Sequence, residues 1–316
     1  MTRETVLIYQ MGKVGSSSIY ESLSSSLSHK PYHIHTLNPD RIRKQKDRQN
    51  SKNLKIENHL FDSEAVIKNY LNQNKHLKII TLIREPISRN IAAYFQNLDI
   101  FHKSNDKFKK SHIVNDKTIE HCAFLNVSPK IIAVLNQLSK KEYSNSQDLL
   151  SNLSQQKISK ALIKKNKLRL LKATNTHNEH INELIKDFTL NYNHGVPLSW
   201  FDREYKDVLG IDIFKIKFPR LKGYLQITHE LFDCLILKLE IPDKRKETIL
   251  SEFLKKDYKL KNTNIGNDKF YGEAYKNFKR KIQLPETYVN KMLNSQYTKH
   301  FYNPIERQTI KAKWIR

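Results

Sequence analysis

The sequence predicts a three-layer α/β fold, with a central parallel sheet flanked by helices and a large helical insertion. Three observations carry this expectation. The β-branched and aromatic run Val6–Tyr9 passes through a tight turn into a helical pattern. A second apolar run, Leu77–Ile83, ends at Arg84 just before Pro86, a residue suited to a first helical turn. From Thr118 to Asn193 the apolar spacing is helical throughout. Strand–helix alternation is how parallel sheets are written in sequence.

Each element follows from its residues. After Tyr9 the chain turns through Gln10-Met11-Gly12-Lys13-Val14-Gly15, and Ser16-Ser17-Ser18 forms a serine cluster suited to capping a helix. Ile19, Leu23 and Leu27 recur every four residues and make that helix's apolar stripe. Tyr32–Leu37 reads as a second short strand, Arg41–Lys55 as a polar connector, and Phe61–Asn72 as a helix. Behind Pro86, the residues Ile87, Ile91, Tyr94, Phe95 and Leu98 line one helical face. Phe101–Lys117 is polar and reads as a loop over a site. Strand-like runs return at Ile211–Ile216, Tyr224–Thr228 and Leu231–Leu239, and Pro242–Arg316 reads as several helices. With no internal repeat and no linker, the chain is expected to be one domain over 1–316. Its core would take 1–100 and about 195–300, and its helical insertion about 118–193.

Composition narrows the class. The chain has 316 residues, of which 38% are hydrophobic, enough for a core in a polar setting. No apolar run approaches the roughly 20 residues of a membrane span. The N-terminal residues lack the pattern of a targeting segment, and two cysteines, Cys122 and Cys234, provide no disulfide framework, so the expected compartment is the cytoplasm. A net charge of +24 favours anionic ligands. Charge alone also allows a nucleic-acid-binding protein, but no helix-turn-helix or aromatic-interleaved basic stretch accompanies it.

The chemistry lies in the first loop. A helix start offers unpaired N–H groups and the positive end of the helix dipole. Lys13 adds a point charge, Gly15 permits close backbone approach, and Ser16, Ser17 and Ser18 add hydroxyls. An ATP-type loop places its lysine after the second glycine. Here Lys13 precedes Gly15, which counts against an ordinary ATP-dependent P-loop phosphotransferase. The order Lys13-Val14-Gly15-Ser16-Ser17, with Arg84-Glu85-Pro86 about 70 residues later, resembles the PAPS-dependent sulfotransferases (PAPS being 3′-phosphoadenosine 5′-phosphosulfate). More narrowly the chain is similar to bacterial capsular-polysaccharide-type sulfotransferases. The stretches that carry this likeness are His33-Ile34-His35-Thr36-Leu37-Asn38-Pro39, Trp200-Phe201-Asp202-Arg203-Glu204 and Asn267-Asp268-Lys269-Phe270-Tyr271, together with residues 89–98.

The resemblance implies a P-loop-like core that binds PAPS without metal. Lys13, Gly15, Ser16, Ser17 and Ser18 would hold the 5′-phosphosulfate, Arg84 the 3′-phosphate, and Lys269 a further contact. Where such sequences carry a second serine for the 3′-phosphate this chain has Ala92, and Ser88 and Arg89, one turn earlier, are the residues placed to compensate. The acceptor would be a hydroxyl of a carbohydrate or glycolipid. A general base is needed, and histidine titrates in the useful range. His33 and His35 alternate on one strand and so share a face; His59 is the weaker third candidate. His177-Asn178-Glu179-His180 reads as a solvated helix face, and Trp200, Phe201 and Tyr205 as packing residues. No metal-ligand spacing is present.

Overall fold

A computed structural model describes residues 5–26, 30–51, 56–96, 178–261 and 272–315. Contacts group the chain into two units. The first, spanning Met1–Asn90, Asn193–Asn264 and Gln283–Arg316, holds the sheet.

Five strands form that sheet: β1 (Thr5–Tyr9), β2 (Tyr32–Ile34), β3 (Leu77–Ile83), β4 (Tyr224–His229) and β5 (Phe232–Lys238). Their order is β2-β1-β3-β5-β4. All neighbours are parallel except β4, which runs antiparallel to β5 at the edge. The sheet is therefore mostly, not wholly, parallel. A two-residue turn, Glu230-Leu231, after His229 leaves room only for a hairpin, and a hairpin forces antiparallel pairing. Every residue of β1 and β3 is buried, as continuous apolar runs in a sheet covered on both faces should be.

The helices mostly follow the sequence pattern. Helix α1 (Ser16–Ser26) buries Ile19 and Leu23, α3 covers Asn58–Asn69, and α4 (Pro86–Gln96) buries Ile87, Ile91, Tyr94 and Phe95. Three expectations are corrected. The connector expected at Arg41–Lys55 is largely helix α2 (Pro39–Asn50). Its capping signals outweigh its polarity: the Asn38 side chain accepts the Arg41 N–H at 3.1 Å, Pro39 opens the helix, and Asp40 sits in the first turn. The strand expected over Tyr32–Leu37 stops at Ile34, because Thr36 and Leu37 bond to the side chain of Glu204 instead of to a neighbouring strand. Ile211–Ile216 is a 3₁₀ turn over Ile213–Lys215, not a strand, and the Asp212 side chain accepts the Phe214 N–H at its start.

Past α4 in the chain come α5 (Asn178–Asn191), α6 (Val196–Phe201), a π-helical turn at Asp202–Lys206 and α7 (Asp207–Leu209). After the strands follow α8 (Asp243–Leu254), α9 (Gly272–Lys281), α10 (Glu286–Asn294), α11 (Gln296–Phe301) and α12 (Pro304–Trp314). The expected loop at 101–117 and the part of the expected insertion from 118 to 177 lie outside the described residues. The second unit covers Ile91–Tyr192 and Ile265–Ile282. Within it Tyr94, Phe188 and Phe278 pack edge to face or tilted, and the Tyr94 hydroxyl donates to Asp187 at 2.7 Å. Among the described residues no helix is long and apolar enough to cross a membrane.

Candidate functional site

Strand order locates a crevice. From β1 the chain crosses to β2 on one side and later to β3 on the other, so β1 and β3 flank a topological switch point. Ligands of open α/β sheets bind outside the carboxyl ends of the strands at such a point. The segments found there are the loop Gln10–Gly15 after β1 and Arg84-Glu85 after β3.

The loop is held in an unusual shape. Lys13 has φ 73° and Gly15 φ 87°, both in the left-handed region. For lysine this conformation costs about 1–2 kcal/mol, and it persists only where surrounding contacts over-determine it. The φ of Gly15 favours glycine, and a Cβ there would run into the Leu239 side chain just past β5. The turned backbone leads directly into the N-terminus of α1, where helix N–H groups are unpaired by the helix itself.

Two arginines grip this loop. The Arg84 guanidinium donates from Nη1 to the Lys13 carbonyl at 3.2 Å, and Arg89 Nε donates to the Gly12 carbonyl at 2.9 Å. The two motifs read from the sequence are thus in direct contact across 71 residues of chain. Arg84 is itself clamped: the Tyr297 hydroxyl donates to its carbonyl at 2.8 Å and accepts its N–H at 3.3 Å. Glu85 is buried, accepts the Ile87 N–H at 2.8 Å to cap α4, and accepts Trp314 Nε1–H at 3.1 Å. The Ser88 hydroxyl accepts from Lys313 Nζ at 3.0 Å on the last helix, so on α4 it is Arg89 that meets the loop. Ala92 is half-buried on the same helix, and Lys269 and Tyr271 lie outside the described residues.

Three histidines form a cluster beside the loop. His33 and His35 meet edge to face with centroids 5.2 Å apart, and His59 lies 5.0 Å from His35. His33 Nε2 shares a 2.8 Å hydrogen bond with Ser16 Oγ, which links β2 to the first turn of α1. His35 Nδ1 lies 2.9 Å from the Gln10 carbonyl. A carbonyl only accepts, so Nδ1 carries the proton and a neutral His35 presents a bare Nε2 towards Gly12. Burial, followed by repulsion from His59 and Lys13, lowers the pKa of His33 to about 4. Burial, then His33 and His59, lowers that of His35 to about 3. Both rings are neutral at neutral pH, the form a proton acceptor must have.

A buried carboxylate supports the cluster from below. Glu204, 1% exposed, accepts the Tyr9 hydroxyl at 2.7 Å, the Leu37 N–H at 3.0 Å and the Thr36 hydroxyl at 2.9 Å. Burial raises its pKa and these bonds oppose the rise. Four residues earlier, Trp200 Nε1–H donates to the His35 carbonyl at 3.0 Å. Trp200, Phe201 and Tyr205 are buried packing residues, as their sequence pattern suggests. The role of Glu204 was missed by sequence reasoning. Its one signal is a lone glutamate in an aromatic run, which does not reveal partners 167 to 195 residues away.

Residues 171–303 match the model of the NKWYS family, described as "Putative capsular polysaccharide synthesis protein". No curated protein and no solved structure matches the chain. The matched stretch is less than half of the chain, and over it the chain is similar to capsular polysaccharide synthesis proteins. It contains Arg203 together with Trp200, Glu204 and Tyr297, whose side chains bond to His35, to the segment after β2 and to Arg84. Lys13, His33, His35 and Arg84 lie outside it. Among the described residues no group of three or more His, Cys, Asp or Glu is arranged to hold a metal.

Proposed function

We propose that the protein is a P-loop-like sulfotransferase, acting in the cytoplasm as a single catalytic domain, that moves a sulfuryl group from PAPS to a hydroxyl of a saccharide or glycolipid. The observation that carries this reading is the contact between the Arg84 guanidinium and the Lys13 carbonyl. It joins the lysine-led loop and the arginine strand end at one crevice, beside a neutral histidine pair. The family match independently favours a polysaccharide acceptor.

The residues present fit such a donor. The left-handed backbone at Lys13 and Gly15, with the first turn of α1, suits an oxyanion cradle. Bound PAPS supplies an activated sulfuryl group on an anionic leaving group. Lys13 with Ser16, Ser17 and Ser18 would hold its 5′ end and neutralise developing charge. Arg84 would take the 3′-phosphate, with Lys269 as a further contact. His35 Nε2 would accept the proton of the acceptor hydroxyl, because His33 Nε2 is already committed to Ser16. An anion beside Lys13 offsets the repulsion felt by both rings and raises their proton affinity as the site fills.

Titration calorimetry with adenosine 3′,5′-bisphosphate in metal-free buffer tests the assignment. Wild type should bind, and Lys13→Ala and Arg84→Ala should each weaken binding at least about tenfold, the loss of one charge-assisted hydrogen bond. Unchanged affinity in both variants would falsify the reading. Binding seen only with ATP and Mg²⁺ would favour a phosphotransferase instead.

A further inference from the structure

A second group of cations stands beside the loop; apart from Arg89, which the sequence offers as a substitute contact to the 3′-phosphate, none of it serves the donor as described above. It draws on three elements: Arg41 in α2, Arg89 in α4 and Arg203 in the π-helical turn. Arg41 Nε lies 3.7 Å from Glu204 Oε1, and Arg203 is the next residue to Glu204 in the chain. Arg89 Nε is anchored on the Gly12 carbonyl, and Gly12 in turn faces His35 Nε2. The Nε atoms of both Arg41 and Arg203 are buried without a hydrogen-bond partner among the described residues, while Arg203 Nη1 donates to Ser199 Oγ and Arg89 Nη1 to Asn90 Oδ1.

Among the described residues, Glu204 and Asp202 are the carboxylates that act on Arg203. The nearest carboxylate, Glu204, already accepts hydrogen bonds from Tyr9, Thr36 and Leu37. Burial lowers the pKa of Arg203, and repulsion from Arg41 and Arg89 lowers it further, against attraction from Glu204 and Asp202. Gathering three guanidinium groups costs folding free energy, which a bound anion offsets. The π-helical turn is what places Arg203 and Glu204 here, and such turns are frequent at functional sites. A guanidinium fork matches a carboxylate in two parallel hydrogen bonds.

We infer that Arg41, Arg89 and Arg203 form a second anion subsite that takes the carboxylate of an acidic saccharide, so that the acceptor is a uronic-acid-bearing glycan. The inference rests on the acceptor half of the function proposed above. It places the acceptor's charge on the Gly12 side of the loop, where His35 Nε2 faces.

The test is a pair of calorimetric titrations, one with a glucuronate-containing tetrasaccharide and one with its carboxyl-reduced counterpart. The proteins are wild type, Arg41→Gln and Arg203→Gln, each also titrated with adenosine 3′,5′-bisphosphate. Wild type should bind the acidic tetrasaccharide at least tenfold tighter than the reduced one. Each variant should lose at least fivefold for the acidic ligand and hold the nucleotide as wild type does. Equal binding of the two saccharides by wild type overturns the proposal, as does acidic-ligand binding unchanged in both variants. A loss of nucleotide affinity in the arginine variants also overturns it, because the cluster then belongs to the donor. If a variant unfolds, wild type decides by salt: tetrasaccharide affinity must fall as salt rises while that of the reduced sugar stays flat. The donor reading fails separately, through a wild type that does not bind the nucleotide.

Discussion

At the residue scale, His35 shows how placement sets chemistry. Its Nδ1–H is spent on the Gln10 carbonyl and its carbonyl on Trp200, which leaves Nε2 as its bare nitrogen. The same burial has a consequence for stability. His33 and His35 titrate near 4 and 3 in the folded chain, against about 6.5 for an unperturbed histidine. The unfolded chain therefore binds more protons below pH 6.5, and stability is full above that value and falls as pH drops towards 4 and 3. Each histidine contributes up to about 1.4 kcal/mol per pH unit in that window. Urea midpoints measured from pH 4.5 to 7.5 should rise with pH, and His35→Gln should flatten the rise. A variant with the full wild-type slope would show that His35 takes up its proton without unfolding.

At the scale of elements, the π-helical turn Asp202–Lys206 joins the sheet to the loops that carry the site. Glu204 is its contact point, receiving one hydroxyl from β1 and two bonds from the segment after β2. Replacing it with glutamine keeps the shape but turns an NH₂ group towards groups that all donate. Glu204→Gln should cost about 1–3 kcal/mol, the range for a buried polar group left mismatched. Chemical denaturation checks this, and a near-zero change would mean that the carboxyl is already protonated when folded. Because the loss falls on Thr36 and Leu37, the variant should also disorder the His33–His35 segment. NMR of the imidazole protons reports that separately from global stability.

At the scale of the molecule, the net charge of +24 has a kinetic role to play if the ligands are anions. Long-range attraction raises association rates and is screened within roughly 10 Å at 0.1 M salt. The association rate of adenosine 3′,5′-bisphosphate, followed by stopped flow, should fall several-fold between 20 and 500 mM salt. The dissociation rate, which the proposed function assigns to short-range contacts from Lys13 and Arg84, should change much less. A salt-independent association rate would leave the surface charge with a solubility role only.

Local residue order suffices for much of the sheet and for the strand-to-helix turn at Lys13. Leu77–Ile83 is a strand with the bounds its apolar run suggests, and Lys13, Gly15 and the serines fall at a strand-to-helix turn as their order requires. These features are local: a strand buried on both faces and a helix start are written in neighbouring residues. The sequence misled at Arg41–Lys55 and Ile211–Ile216, where single side-chain caps at Asn38 and Asp212 outweighed composition. Tertiary structure alone decided that Arg84 meets Lys13, that His35 rather than His33 has a bare nitrogen, and that Glu204 joins Tyr9 to Thr36 and Leu37. Those pairings follow from strand order and register. Strand order and register bring together side chains tens to hundreds of positions apart, a distance over which no local pattern carries information.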